Sequence, residues 1–174
     1  MGRMQTLEHS SSDIGRFAYF AYGSCMNLSS LSISLGCQVA GYFVGAAVLE
    51  GYRLVFNYPS MTEPFGCANI EVESGAAVEG ALYQLPMSYL ELLDRREGVS
   101  LGRYRRCPVE VRSSLSTRTN ALCYRSLITL PRERAPSTQY QAMMIQGLLD
   151  AGVSERYRCD LVERLTQLTH LQRD

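Results

Sequence analysis

Two short stretches of this chain carry residue types that can run proton-transfer chemistry together. The apolar run Phe17-Ala18-Tyr19-Phe20-Ala21 empties into Tyr22-Gly23-Ser24-Cys25-Met26-Asn27, and about seventy residues later an amphipathic segment delivers Glu97 beside Gly98. The first has the form of a buried strand breaking into a glycine loop, whose backbone N–H groups can hold an anion. The second supplies one carboxylate, set by its own helix, able to take and return a proton. A binding loop with a lone acid or base implies chemistry that needs neither metal nor cofactor.

On the expected helix, Glu97 shares a stripe with Leu93 at i−4 and Leu90 at i−7, and that stripe faces inward. Gly98 ends the helix, which leaves the carboxylate in the last turn, where the helix dipole disfavours an acid by roughly 0.3 to 1 kcal/mol. Burial and dipole both raise its pKa toward the range useful for a proton shuttle. The spacing is equally compatible with a helix-end carboxylate paired to a nearby arginine such as Arg103 or Arg105. The glycine loop has an ordinary role as well, because Tyr-Gly-Ser is a common way to turn a chain. Cys25 is poorly placed as a nucleophile: such chemistry wants a nearby histidine, and the two present, His9 and His170, stand in a polar lead and a terminal helix. Tyr140, in the first turn of a helix that follows Pro136 and a Ser137 cap, can offer its hydroxyl to a ligand or simply pack.

These groups need a scaffold. Residues 1–16 are expected to form a flexible polar lead with little to bury, followed by one domain over 17–170. Leu28 to Leu35 has helical spacing at Leu28, Leu31 and Leu35, with Ser29 and Ser30 offering caps and Gly36 a stop. Glycine-punctuated runs of Val, Ile, Tyr and Phe then predict strands at Tyr42 to Leu49, Tyr52 to Asn57, Cys67 to Val72 and Ala77 to Leu85. Met87 to Glu97 switches to a helical period, strands follow at Tyr104 to Arg112 and Ala121 to Ile128, and helices near Thr138 to Asp150 and Glu155 to His170. The prolines of Leu130 to Pro136 mark a loop. Strands in the middle and helices at the end, without regular alternation, predict an α+β domain with a curved or barrel-like sheet and helices packed on it.

Composition narrows the partner. At 174 residues a single domain can bury about 70% of the surface its unfolded chain exposes. Acidic and basic residues balance at 17 each, which removes the electrostatic footprint of a nucleic-acid binder or of a protein drawn to anionic membranes, so a small partner is expected. All 17 basic residues are arginine, and without lysine neither Schiff-base nor P-loop lysine chemistry is available. Six cysteines, Cys25, Cys37, Cys67, Cys107, Cys123 and Cys159, show no zinc-site or thioredoxin-like spacing and are expected to be mostly reduced core residues. No stretch approaches the roughly 20 apolar residues of a membrane span, and the polar start lacks the apolar centre of a signal peptide, so a cytoplasmic location is expected. Met1-Gly2 with Thr6 fits the myristoylation pattern only formally, since so short a pattern arises often by chance.

Three blocks, taken together, carry a resemblance. Tyr19-Phe20-Ala21-Tyr22-Gly23-Ser24 with Met26, then Leu93-Asp94-Arg95-Arg96-Glu97-Gly98-Val99 with Gly102 and Tyr104, then Ala135-Pro136-Ser137-Thr138-Gln139-Tyr140 resemble the gamma-glutamylcyclotransferase family, AIG2-like in fold, over about Phe17 to Leu165. The resemblance implies an α+β fold around a small barrel-like mixed sheet. By position it makes Glu97 the catalytic base and acid, Tyr22, Gly23, Ser24, Cys25, Met26 and Asn27 the loop that receives the glutamyl group, and Tyr104 and Tyr140 further substrate-binding residues; no metal or cofactor is implied. The implied reaction converts a γ-glutamyl amino acid, peptide or amine to 5-oxoproline and the free amine. Deblocking of a γ-glutamyl-protected biosynthetic intermediate by the same reaction, and a non-catalytic module that binds γ-glutamyl metabolites, are the alternatives. Many members carry asparagine where this chain has Cys25, a departure that bears on substrate preference more than on activity, with Asn27 available to compensate. The expected partner is thus a small γ-glutamyl molecule, with no nucleic acid and no membrane. A homodimer is open by family habit, although no coiled-coil seam supports one.

Overall fold

The computed structural model describes residues 15–172, so the polar lead before Gly15, with its formal myristoylation pattern and His9, lies outside the described residues. The apolar run at the start becomes β1 (Arg16–Ala21), buried from Ala18 onward on both of its faces. Four more strands, β2 (Phe43–Pro59), β3 (Gly66–Pro86), β4 (Tyr104–Ser113) and β5 (Arg118–Ser126), join it in a closed barrel of order β1-β3-β2-β4-β5. All pairings are antiparallel except the closing one, where β1 meets β5 in parallel at Tyr19↔Leu122. The architecture is the expected α+β barrel.

The four strands expected between Tyr42 and Leu85 are two long ones. Gly51 and Gly75, with φ of +78° and +81°, stand where the pairing jumps from Glu50↔Ala77 to Tyr52↔Val72. Glycine there turns a corner in the β2–β3 ribbon without ending either strand, which curls the sheet toward closure. The β4–β5 hairpin turns tightly at Ser113 to Thr117, so β5 begins at Arg118 rather than at Ala121 and stops at Ser126 rather than at Ile128. The loop from Leu130 to Pro136 runs beside β2: Leu130 and Arg134 donate their N–H groups to the Asn57 and Phe56 carbonyls.

Helix α1 (Leu28–Leu35) keeps its expected limits, but neither Ser29 nor Ser30 caps it. Asn27 does, its Oδ1 accepting the Ser30 N–H at 2.8 Å, because the cap must precede the first helical residue. The Leu28 N–H goes to Asp150 of α3 (Thr138–Ala151) at 3.0 Å. The expected helix from Met87 opens as a 3-10 turn at Met87–Tyr89 before α2 (Leu90–Glu97). Ser137 and Ser154 cap α3 and α4 (Glu155–Leu171). Among the described residues no helix is long and apolar enough to cross a membrane.

Helix α3 lies directly on the turn that follows β1. A Cβ at Gly147 would stand 2.8 Å from the Asn27 nitrogen and 2.9 Å from the Met26 Cβ, so the close approach requires glycine. Gly147→Ala gains up to about 1 kcal/mol of helix propensity, while overpacking against backbone costs about 1–3 kcal/mol. Its expected outcome in thermal denaturation is a lower Tm; an unchanged or higher Tm would mean that α3 can back away freely.

Candidate active site

At the end of β1 the Tyr22 hydroxyl donates to the Tyr124 carbonyl on β5 at 2.5 Å, which anchors the chain just before it turns. Gly23 follows, packed so closely that a Cβ would lie 3.3 Å from the Ala68 Cβ and 3.4 Å from the Tyr140 hydroxyl. Ser24–Met26 then form a 3-10 turn. Tyr83 donates to the Cys25 carbonyl from below at 3.2 Å. Ser24 and Cys25 open the turn, so their N–H groups have no partner within it.

Glu97 enters from the last residue of α2, where Gly98 takes the left-handed conformation (φ +65°) that stops the helix. Its side chain is 17% exposed and faces a small pocket shared with Tyr22, Gly23, Ser24, Cys25, Tyr104 and Tyr140. Cys25 Sγ donates to Glu97 Oε1 at 3.6 Å, and Arg96 Nε stands 3.6 Å from the same oxygen. Burial raises the Glu97 pKa above the ordinary 4.5, and the Arg96 charge and the thiol hydrogen bond only partly pull it back. Burial likewise pushes the Cys25 thiol up to about 11, with Arg96 opposing and Glu97 adding, so the sulfur is a hydrogen-bond donor and a poor nucleophile.

Two expected site residues lie elsewhere. Met26 is fully buried in the core, and Asn27, with its side-chain oxygen committed to the α1 cap, is not free to compensate for Cys25. Neither lines the pocket, because the 3-10 turn carries the chain away from it after Cys25. Nor do Arg103 and Arg105 pair with Glu97: the stem of Arg103 packs over Gly98, and the cation beside the carboxylate is the adjacent Arg96. Arg96 also donates to Ser24 Oγ (2.9 Å), Ser30 Oγ (3.1 Å), Ser34 Oγ and the Ser30 carbonyl (3.3 Å), tying α2 to the loop and to α1.

Ala68, which no sequence pattern marks, also shapes the site. It sits where β2 and β3 slip out of register between Val55 and Tyr58. Its N–H is taken by the Tyr140 hydroxyl (3.2 Å) and its carbonyl by the Tyr104 hydroxyl (2.8 Å). Tyr140 therefore accepts from the backbone and keeps its own proton for a ligand. Tyr124 was missed as well: its ring lines the pocket and its hydroxyl donates to Asp94 Oδ1 at 2.8 Å, bolting α2 to the barrel one turn before Glu97. Its place at the end of the apolar run Ala121-Leu122-Cys123-Tyr124 gives it the look of a core residue.

A carboxyl whose pKa is higher folded than unfolded binds more protons when folded, so its ionisation weakens the fold as pH rises. Glu97→Gln removes that penalty. Thermal denaturation of Glu97→Gln is expected to give a Tm equal to or above that of the parent at pH 7, with the difference shrinking to nothing below about 4.5. A variant clearly less stable at pH 7 would mean that the ionised carboxylate holds the fold together.

Residues 77–161 match the AIG2-like family. Over 152 residues the chain is 32% identical to the Bos taurus gamma-glutamylcyclotransferase, covering 85% of this chain and 78% of that protein. It is 32% identical over 146 residues to the Homo sapiens gamma-glutamylcyclotransferase, covering 82% and 75%. A solved gamma-glutamyl cyclotransferase structure superposes with a TM-score of 0.77 at 25% identity, over 88% of each chain. With the same barrel and with relatives of this identity spanned over most of their length, the chain belongs to the gamma-glutamylcyclotransferase family.

Proposed function

We propose that this protein is an active γ-glutamyl cyclotransferase, releasing 5-oxoproline and a free amine from a small γ-glutamyl amino acid, peptide or amine. The observation that carries this is Glu97, a half-buried carboxylate of raised proton affinity facing the pocket beside the unpaired end of the 3-10 turn. Attacking amine and target carbonyl belong to one molecule, so the pocket need only fold the substrate into a near-attack ring and move protons. Glu97 takes a proton from the α-ammonium; the freed amine adds to the γ-carbonyl; Glu97 returns the proton to the leaving nitrogen as its carbon–nitrogen bond breaks. A shuttle of this kind contributes typically about 10² to 10⁴ in rate. The N–H groups of Ser24 and Cys25 and the Tyr140 proton are the donors available to the substrate carboxylate and the developing oxyanion.

The test is a panel of γ-glutamyl amino acids, γ-glutamyl amines and glutathione, with 5-oxoproline as the readout. Turnover by the parent is expected, and Glu97→Gln is expected to lower it by at least about 10²-fold while the fold persists. Parent-like turnover in that variant would remove Glu97 from its role, and ligand binding without product in the parent would favour the non-catalytic module.

Arg96→Met provides a separate check. Losing the neighbouring cation favours the neutral carboxyl, so the acidic limb of the kcat/KM profile is expected to move to higher pH. KM is expected to rise as Ser24 is released. An unmoved acidic limb would mean that Arg96 only fastens the loop.

A further inference from the structure

Cys107 on β4 and Cys123 on β5 stand directly opposite each other in the antiparallel ladder. Opposed residues of such a ladder share a face with Cα atoms about 4.5 to 5.5 Å apart, inside the roughly 4.4 to 6.8 Å window of a disulfide. Both are free thiols; Cys123 is fully buried and Cys107 is 7% exposed. Neither lines the pocket.

The pair is chemically asymmetric. Two residues along the same face, the pair Arg105↔Arg125 brings two cations toward Cys107. Arg125 is fixed there by donating from Nε to the Ile70 carbonyl at 3.2 Å and by lying 5.7 Å over the Tyr52 ring. The facing Cys123, against burial and with the help of Arg125 and Arg105, pulls the Cys107 thiol below the ordinary range, while Cys107 opposite it and burial drive Cys123 above it. A thiol of thiolate character with a second thiol facing it has the parts of an oxidisable couple, an attacking sulfur and a resolving one.

We propose that Cys107 and Cys123 form a reversible dithiol–disulfide couple oxidised by hydroperoxides. The Cys107 thiolate attacks one peroxide oxygen, the O–O bond breaks, and the other oxygen leaves as hydroxide or alkoxide and takes up a proton. Cys123 then attacks the sulfur of the resulting sulfenic acid; the S–S bond forms, the S–O bond breaks, and the departing hydroxide takes the Cys123 proton as water. Two thiols lose one electron each, and the peroxide gains two.

Tryptic mapping reads this directly, because peptides 107–112 and 119–125 each contain a single cysteine. The full-length protein treated with hydrogen peroxide and then alkylated is expected to yield these two peptides linked, and dithiothreitol to separate them. In Cys123→Ser, whose hydroxyl keeps a donor facing Cys107 but cannot close a disulfide, Cys107 is expected to form a dimedone adduct about tenfold faster than the exposed Cys159. No linked peptide in the parent while Cys159 is oxidised, or capture of Cys107 no faster than of Cys159, would overturn the proposal.

Discussion

A carboxylate held away from water needs a partner, and here the partner is the next residue in the chain. Arg96 lies beside Glu97 with its own side chain only 19% exposed. An ion pair this buried repays its desolvation only when the remaining donors are satisfied as well. Three serine hydroxyls and a carbonyl do that, and they belong to the loop and to α1. The requirements of one charge therefore fix much of the local design. Ser30 and Ser34 must recur one helical turn apart, Ser24 must sit in the 3-10 turn, and α2 must end where it does.

The same contacts explain what could be read in advance. Glu97 stood out because a carboxylate on an apolar helical stripe is anomalous, and glycines at 36 and 98 marked the ends of α1 and α2. Arg96 did not, since side chains at i and i+1 leave a helix in different directions and its long stem bends back to reach. Ser30 was legible as a cap candidate, a role Asn27 takes, but not as a ligand for a guanidinium. Met26 and Asn27 belonged to the expected loop by continuity; a three-residue 3-10 turn, which has almost no sequence signature, takes them out of the pocket. Glycine misled in the β2–β3 ribbon because a corner and a chain reversal use the same residue. Closure by one parallel bridge between β1 and β5 joins residues about a hundred positions apart, beyond the reach of any local pattern.

Part of the pocket wall is backbone. The register slip between β2 and β3 leaves the Ala68 peptide without a matched ladder partner, and two tyrosines from different elements meet both of its polar groups. Each side chain is thereby aimed by a peptide group rather than by another side chain. Tyr104 is buried and Tyr140 half-buried, so the hydrogen bond of the first is shielded from water and that of the second partly so.

The β4–β5 hairpin joins the rest of the barrel through very little ladder, one residue pair with β1 and two with β2. Side chains make up the difference: Tyr104 to Ala68, Tyr22 to Tyr124, Arg125 to Ile70 and the Ser126 N–H to Asn69 Oδ1. Two of these four also shape the pocket. Holding the barrel shut and holding the pocket in shape are thus partly the same work, and a molecule seated among these tyrosines acts as a missing stave. Occupancy and closure are then thermodynamically linked, with the empty protein the looser vessel and the filled one the tighter.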